Sequence, residues 1–241
     1  MNNNSKKILV TGAAGQLGSR IVQHLVGSGH EVYATDIVEC EAQTEQDFCY
    51  LRADITKEHD VGELLATLPT INVIINNAGV GVFSDFFERT YEEFKFVFDV
   101  NCWAPIRLCQ GLLPAMIKEK SGKIINVSSI YGLKSSDFRI YGKSRRNNSE
   151  VYSMSKAAIV ILTKYLAAHF GQFGITANSI SPGGIWRNQS KDFVDAYVNK
   201  VPSGRMADVE DMLPAIDFLV DDKNRYMNGE NITIDGGFCA W

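Results

Sequence analysis

The sequence predicts an α/β fold, a doubly wound parallel sheet of about seven strands with helices on both faces, in a single domain over residues 1–241. Three observations predict it. Apolar strand-like runs alternate with helical patterns along the whole chain. Those runs are near-continuous in apolar character, as strands buried on both faces must be. No repeat, low-complexity tract or Pro/Gly/Ser-rich linker divides the 241 residues, a length that one core can serve.

Taken in order, Lys7 to Val10 is the first strand, ending on the apolar run Ile8-Leu9-Val10. A glycine-rich turn leads into a helix over Gln16 to Gly27, and Glu31 to Asp36 is the second strand. Cys49 to Asp54 and Asn72 to Asn76 read as the third and fourth. The helix Ile106 to Lys120 precedes the strand Lys123 to Ser128, and the helix Tyr152 to Phe170 precedes the strand Thr176 to Ser181. A helix over Val209 to Val220 and a strand over Asn231 to Asp235 close the series. Repeated strand–helix alternation implies right-handed crossovers and hence a parallel sheet. Two segments break the rhythm. Residues 134–150 are polar, basic and aperiodic, and form an insert; residues 184–205 follow a strand end and form a lid. Segments at the carboxyl ends of parallel strands are where ligands bind in such sheets.

Composition removes several functions. A net charge of −4 offers no basic footprint, so nucleic acid is not an expected partner. No apolar run approaches the roughly 20 residues that span a bilayer, so no membrane partner is expected. The start, MNNNSKK, lacks the apolar core of a signal peptide. The five cysteines, Cys40, Cys49, Cys102, Cys109 and Cys239, are odd in number and free of CxxC spacing. They suggest reduced thiols and a cytoplasmic location. The four histidines form no ligand pair, and no metal is expected.

Two short segments carry the chemistry. TGAAGQLG, Thr11 to Gly18, sits between a strand and a helix, where Gly12, Gly15 and Gly18 let the backbone bend around a phosphate at a helix amino terminus. An ordinary strand–helix turn is the bland alternative. YSMSK places Tyr152 and Lys156 on one helix face. A phenol transfers protons near neutral pH only if something lowers its pKa, and Lys156 is placed to do so. Asp36 ends the second strand about 20 residues beyond the loop, where a carboxylate accepts hydrogen bonds from an adenosine ribose. Such a carboxylate repels a 2′-phosphate, and Ile37, Val38 and Glu39 follow with no cation, which favours NAD(H) over NADP(H). A strand-end aspartate capping a turn is the alternative for Asp36.

With these segments stand Asn76-Asn77-Ala78-Gly79, Val100-Asn101, Ile125-Asn126-Val127-Ser128-Ser129, Ser181-Pro182-Gly183-Gly184-Ile185 and Ile234-Asp235-Gly236-Gly237. In this order the set resembles the short-chain dehydrogenase/reductase family, single-domain branch, over essentially the whole chain. The resemblance implies a Rossmann-like fold and hydride transfer between an alcohol or ketone and a nicotinamide cofactor. It implies Tyr152 as general acid/base and Lys156 as the group that tunes it and binds the nicotinamide ribose. Ser129 would polarise the substrate oxygen, with Ser128 as the alternative, and Asn101, opening a helix, would hold a water that relays protons. The cofactor would meet Gly12, Gly15, Gln16, Leu17, Gly18, Asp36, Asp54, Ile55, Asn77, Ala78, Gly79, Tyr152, Lys156, Pro182, Gly183 and Ile185, the last through its backbone.

The chain departs from the family pattern in three places. Its glycines follow GxxGxxG spacing, the Ser129-to-Tyr152 interval is lengthened by about 137–148, and Trp186-Arg187-Asn188-Gln189 stands where a threonine usually follows Ile185. The insert with Tyr141-Gly142, Glu150-Val151 and SPGGI followed by Asn188-Gln189 resembles oxidoreductases of bacterial surface-polysaccharide and flagellin-glycosylation (nonulosonic acid) loci. That implies a small-molecule substrate, a sugar phosphate or sugar nucleotide, which Arg139, Lys143, Arg145 and Arg146 would suit; a solvated basic loop is the alternative. A ketoacyl or small polyol reductase is the competing enzyme reading. A silent nucleotide-binding regulator is the third, and the intact Asn101, Ser129, Tyr152 and Lys156 argue against it. The apolar helices Ile106 to Lys120 and Tyr152 to Phe170, with a terminal Trp241 that would be odd in open water, imply a homo-oligomer, dimer or tetramer.

Overall fold

A computed structural model describes residues 5–39, 48–142 and 148–241. Seven parallel strands form one sheet in the order β3-β2-β1-β4-β5-β6-β7. They are β1 (Lys7–Thr11), β2 (Glu31–Asp36), β3 (Cys49–Arg52), β4 (Val73–Asn76), β5 (Gly122–Val127), β6 (Ile175–Pro182) and β7 (Asn231–Ile234). The chain steps outward from β1 to β3 and then returns to place β4 on the other side of β1. A crevice opens at this reversal, above the carboxyl ends of β1 and β4.

The near-continuous apolar strands follow from burial on both faces. Ile8, Val10, Val73, Ile75 and Ile125 join one core with the helices α1 (Gln16–Gly27) and α7 (Leu213–Val220). Their neighbours Leu9, Ile74 and Ile124 join a second core on the opposite face. That face is covered by α2 (Glu58–Thr67), α4 (Ala104–Glu119) and α5 (Glu150–Phe170). Period-2 side-chain alternation thus sends every second residue to a different core. Beneath the site, Asn76 Nδ2 donates to Asn126 Oδ1 at 2.8 Å and Asn126 Nδ2 to Thr163 Oγ1 at 2.8 Å. This buried chain ties β4 and β5 to α5.

Several expected boundaries move, each for a local reason. β3 stops at Arg52 because Asp54 turns the chain: its N–H donates to Asp60 Oδ2, and its carboxylate accepts from the N–H and hydroxyl of Thr56. The helix expected over Val209 to Val220 is a 3-10 turn, Val209–Met212, joined to α7. An Asp208/Asp211 capping box tightens that turn, and Pro214 in the first turn of α7 lacks an N–H. Asn101 does not open a helix. It lies in a π turn, Asp99–Trp103, between α3 (Tyr91–Phe98) and α4.

The two segments that break the rhythm pack on each other. The insert forms a 3-10 turn, Phe138–Tyr141, and the lid carries α6 (Lys191–Val198). Ile130 and Ile140 join Tyr197, Val201, Met206 and Phe238 in a third apolar cluster. Asp137 pairs with Lys200 across the two segments, and the Tyr141 and Phe193 rings lie 5.5 Å apart. The tail adds a strap: the Trp241 indole donates to the Lys200 carbonyl at 3.2 Å, and Lys134 Nζ donates to the Trp241 carbonyl at 3.1 Å. Trp241 therefore has partners within its own chain.

Ile140 is almost fully buried whereas Phe138 is exposed. Ile140→Ala is expected to cost about 2–5 kcal/mol, read as a lower urea midpoint. Phe138→Ala should stay within ~0.5 kcal/mol. Equal midpoints for the two variants would mean that the insert is not part of the cooperative core.

Candidate active site

The cleft at the sheet reversal begins with Gly12. Its φ of +66° and its approach to β4 both exclude a side chain, since an added Cβ would lie 2.7 Å from Ala78 Cα. Thr11 and Asn77 bind the two strand ends together. Thr11 Oγ1 accepts from the N–H groups of Asn77 and Ala78, while Asn77 Nδ2 donates to the carbonyls of Thr11 and Gly12. α1 then starts at Gly15 with no side-chain cap and no acid in its first turn. Free N–H groups and the positive end of the helix dipole are left for an anion.

Gly12, Gly15, Gln16, Leu17, Gly18, Asp36, Asp54, Ile55, Asn77, Ala78 and Gly79 line one cleft of about 730 Å³. Its donor set fits a dinucleotide, with helix N–H groups at one place and the carboxylates of Asp36 and Asp54 at another. Asp36 is already engaged: Oδ2 accepts from Ala14 N–H at 3.0 Å and Oδ1 from Val38 N–H at 3.3 Å. Carboxylate oxygens keep further acceptor capacity for a ribose. A cation absent from the neighbouring sequence is present in space, because Arg52 is the register partner of Asp36 on β3. Its guanidinium is held by the Ile37 carbonyl at 3.0 Å and by Glu39 at 2.6 Å.

A second cavity, about 240 Å³, shares Leu17, Asn77 and Gly79 with the cleft and adds Ser128, Ser129, Tyr152, Lys156, Pro182, Gly183 and Ile185. Tyr152 and Lys156 occupy successive turns at the start of α5, whose cap Ser149 accepts from the Tyr152 N–H. Lys156 is buried, donates from Nζ to the Val127 carbonyl at 2.9 Å, and lies 5.7 Å from the Tyr152 ring centre. A Cβ on Gly79 would stand 3.0 Å from that ammonium. The two serines part company. Ser128 spends its hydroxyl on the Lys156 carbonyl at 2.7 Å, whereas Ser129 hydrogen-bonds the Tyr152 side chain.

Burial dominates the electrostatics of Tyr152 and Lys156. Burial raises the Tyr152 phenol above its ordinary value, the Ser129 bond pulls it back, and Tyr141 adds to the rise. Burial likewise pushes the Lys156 ammonium down, to about 8. Asn101 stands back from both cavities. Its Oδ1 accepts from Val80 N–H at 2.8 Å, and its Nδ2 donates to the Val80 carbonyl and Ser155 Oγ, each at 2.9 Å. The backbone carbonyl of Ile185 accepts from Gln189 Nε2.

Beside Tyr152 a further cavity of about 340 Å³ is walled by the rings of Phe83, Tyr131, Tyr141, Phe193 and Tyr197. Asn148 and Gln189 also line it, and among the described residues none of those lining it is charged. Tyr131 and Tyr141 hydrogen-bond each other, and burial raises the Tyr131 phenol. Sequence reasoning did not assign Tyr131, in a 3-10 turn, or Phe193, on α6, to the site, because a single aromatic carries no spacing signal. Of the basic insert residues, Arg139 pairs with Asp137 at the surface, while Lys143, Arg145 and Arg146, like Cys40, lie outside the described residues. Among the described residues no cluster of His, Cys, Asp or Glu could hold a metal ion, and no helix is long and apolar enough to cross a membrane.

A family model described as enoyl-(acyl carrier protein) reductase matches residues 12–239. The chain is similar to an acetoacetyl-CoA reductase of an Acinetobacter species, at 28% identity over 96% of this chain and 97% of that protein. It is similar to the 3-oxoacyl-[acyl-carrier-protein] reductase FabG of Vibrio cholerae, at 28% identity over 98% of each. Among solved structures it resembles a short chain dehydrogenase from Leptospira borgpetersenii with bound NAD+. That match has a TM-score of 0.92 and 37% identity, covering 98% of this chain and 93% of the other.

The buried ammonium predicts a pH dependence. Lys156 falls from 10.5 unfolded to about 8 folded, so between these values the unfolded chain binds more protons and stability rises with pH. Without ligand, the melting temperature of the wild type relative to Lys156→Met should climb as pH passes upward through that window. A constant offset would contradict the burial of a charged lysine.

Proposed function

Because the chain belongs to the short-chain dehydrogenase/reductase family, and is therefore an oxidoreductase, we propose that it interconverts a secondary alcohol and a ketone on a sugar-derived substrate, using NAD(H). The observation that carries this reading is the convergence of Ser129, Tyr152 and Lys156 on a cavity continuous with the glycine cleft. When bound, the nicotinamide supplies or accepts the hydride. In reduction the Tyr152 hydroxyl gives its proton to the carbonyl oxygen, and the Ser129 hydroxyl donates a hydrogen bond to the charge developing there. Lys156 holds a positive charge beside the phenol and within reach of a ribose. Asn101 steadies Val80 and serves the water that carries protons outward.

NAD(H) is supported by Asp36 at the cleft wall and by Arg52 being occupied by Glu39 and Ile37. A sugar is supported by the cavity beside Tyr152, whose aromatic faces, hydroxyls and amides suit a ring bearing both C–H and O–H groups. A sugar phosphate or sugar nucleotide would keep its anionic end outside that cavity. Two residues behind the surface-glycan resemblance have structural partners here, Glu150 with Arg89 and Gln189 within its own turn. Reduction of a 3-ketoacyl thioester is the second reading, favoured by the acetoacetyl-CoA and FabG relatives. The site is read as cytoplasmic on its free thiols.

The test is a panel of sugars, sugar nucleotides and acetoacetyl thioesters with each cofactor, followed by nicotinamide absorbance. Turnover of a sugar and tighter binding of NADH than NADPH are expected. Tyr152→Phe should lower kcat by about 10²–10⁴-fold while leaving NADH binding unchanged. Thioester turnover without sugar turnover would give the site to the second reading.

The chain is further read as a homo-oligomer, dimer or tetramer. Met154, Ile161 and Tyr165 form an exposed apolar stripe along α5, with Trp103 exposed just before α4. Light scattering at micromolar concentration should give a multiple of 26.7 kDa, and a monomer mass would contradict pairing through these helices.

A further inference from the structure

Arg187 lines the large cleft, yet among the described residues its guanidinium has no hydrogen-bonding or ionic partner. Other arginines at the surface are matched: Arg20 with Glu210, Arg107 with Glu58, Arg205 with Asp211. The turn that presents Arg187 is a built one. Gln189 Oε1 accepts from the Arg187 N–H at 2.6 Å, and Gln189 Nε2 donates to the Ile185 carbonyl at 3.0 Å. Between them Asn188 takes a left-handed φ of +55°. On the other side Gln16, the first residue of α1, donates from Nε2 to the Trp186 carbonyl at 2.7 Å. The lid backbone is thereby fastened to the helix end whose N–H groups are uncapped.

The charge balance of the cleft leaves room for such a cation. A dinucleotide diphosphate carries two negative charges, and a helix amino terminus offers roughly half a positive one. The remaining cations of the cleft are elsewhere or engaged. Lys95 is paired with Asp99, and Lys57 stands next to Thr56, Ile55 and Asp54, beyond the end of β3.

We propose that Arg187 binds the diphosphate of the cofactor, its guanidinium donating to phosphate oxygens from the lid while the amino terminus of α1 donates from below. The proposal rests on reading the cleft as a dinucleotide site. Arginine takes over a position where the resembled family carries threonine, replacing a neutral hydroxyl by a planar cation that binds phosphate in a fork. Because the turn is fastened through Gln16, the same contact holds the lid over the cofactor.

Calorimetric titration of the full chain with ADP-ribose, NADH and adenosine tests this without catalysis. Arg187→Ala is expected to weaken ADP-ribose and NADH about tenfold, the range of one partly exposed charge-assisted bond, and to leave adenosine unchanged. The loss should shrink as ionic strength rises, and Arg187→Lys should recover part of it. Unchanged ADP-ribose affinity, or an equal loss for adenosine, would overturn the assignment of Arg187. Wild-type protein that binds none of the three would overturn the dinucleotide reading, and this proposal with it.

Discussion

Lys156 carries both halves of a clamp between β5 and α5. Its carbonyl accepts from the Ser128 hydroxyl and its ammonium donates to the Val127 carbonyl, so one residue is fixed to the strand at both ends. The position of Tyr152, one turn earlier, follows from that clamp, and so does the orientation of Ser129, next to Ser128. Asn126 and Thr163 continue the same attachment deeper into the core. A buried ammonium is costly unless hydrogen-bonded, and here a strand-end carbonyl satisfies it in the absence of any ligand. The cost appears in the depressed pKa, which is the price of holding a charge ready beside the phenol.

Around that fixed point the molecule divides its labour by layer. The sheet and its two cores supply rigid strand ends, and the loops after β1 and β4 meet so closely that a glycine and a threonine are needed between them. The cavity beside Tyr152 is walled in part by the insert and the lid, which share an apolar cluster with Phe238. Neither segment would be held in place alone, since the 3-10 turn Phe138–Tyr141 contributes only Ile140 as a fully buried side chain. Their mutual packing brings Tyr141, Phe193 and Tyr197 next to Tyr152, where Phe83 and Tyr131 complete the aromatic wall.

Most of the sheet was legible because burial on both faces writes itself as unbroken apolar runs. Boundaries were less so. β3 ends early through side-chain bonds at Asp54, and α7 starts late through Pro214 and a capping box, both decided by contacts that periodicity does not encode. The residues from Gly12 to Gly79 read as cofactor-binding were legible as motifs and line one cleft, Tyr152, Lys156, Pro182, Gly183 and Ile185 line the adjoining cavity, and Asn101 lies behind on Val80. Arg52 was invisible from Asp36 along the chain, because strand register rather than sequence separation makes them neighbours. The tuning of Tyr152 by Lys156 was inferred from helical spacing, but spacing says nothing of desolvation, which dominates both groups. The insert was seen only as an excess of polar residues, and the buried Ile140 among them was the signal it contained.

The side chains at the Asp36 end of the cleft lie on the outer strands β2 and β3, apart from the β5–α5 clamp. Glu39 and Arg52, beside Asp36 in the strand register, are joined by an exposed ion pair of the kind worth about 1 kcal/mol or less. Drift in that pair therefore costs the fold little and leaves Ser129, Tyr152 and Lys156 undisturbed. On the proposed reading, selection on which pool of reducing equivalents the cell draws upon can operate there independently of selection on the substrate. The architecture is then modular in an evolutionary sense, with the redox partner and the chemistry at separately mutable ends of one crevice.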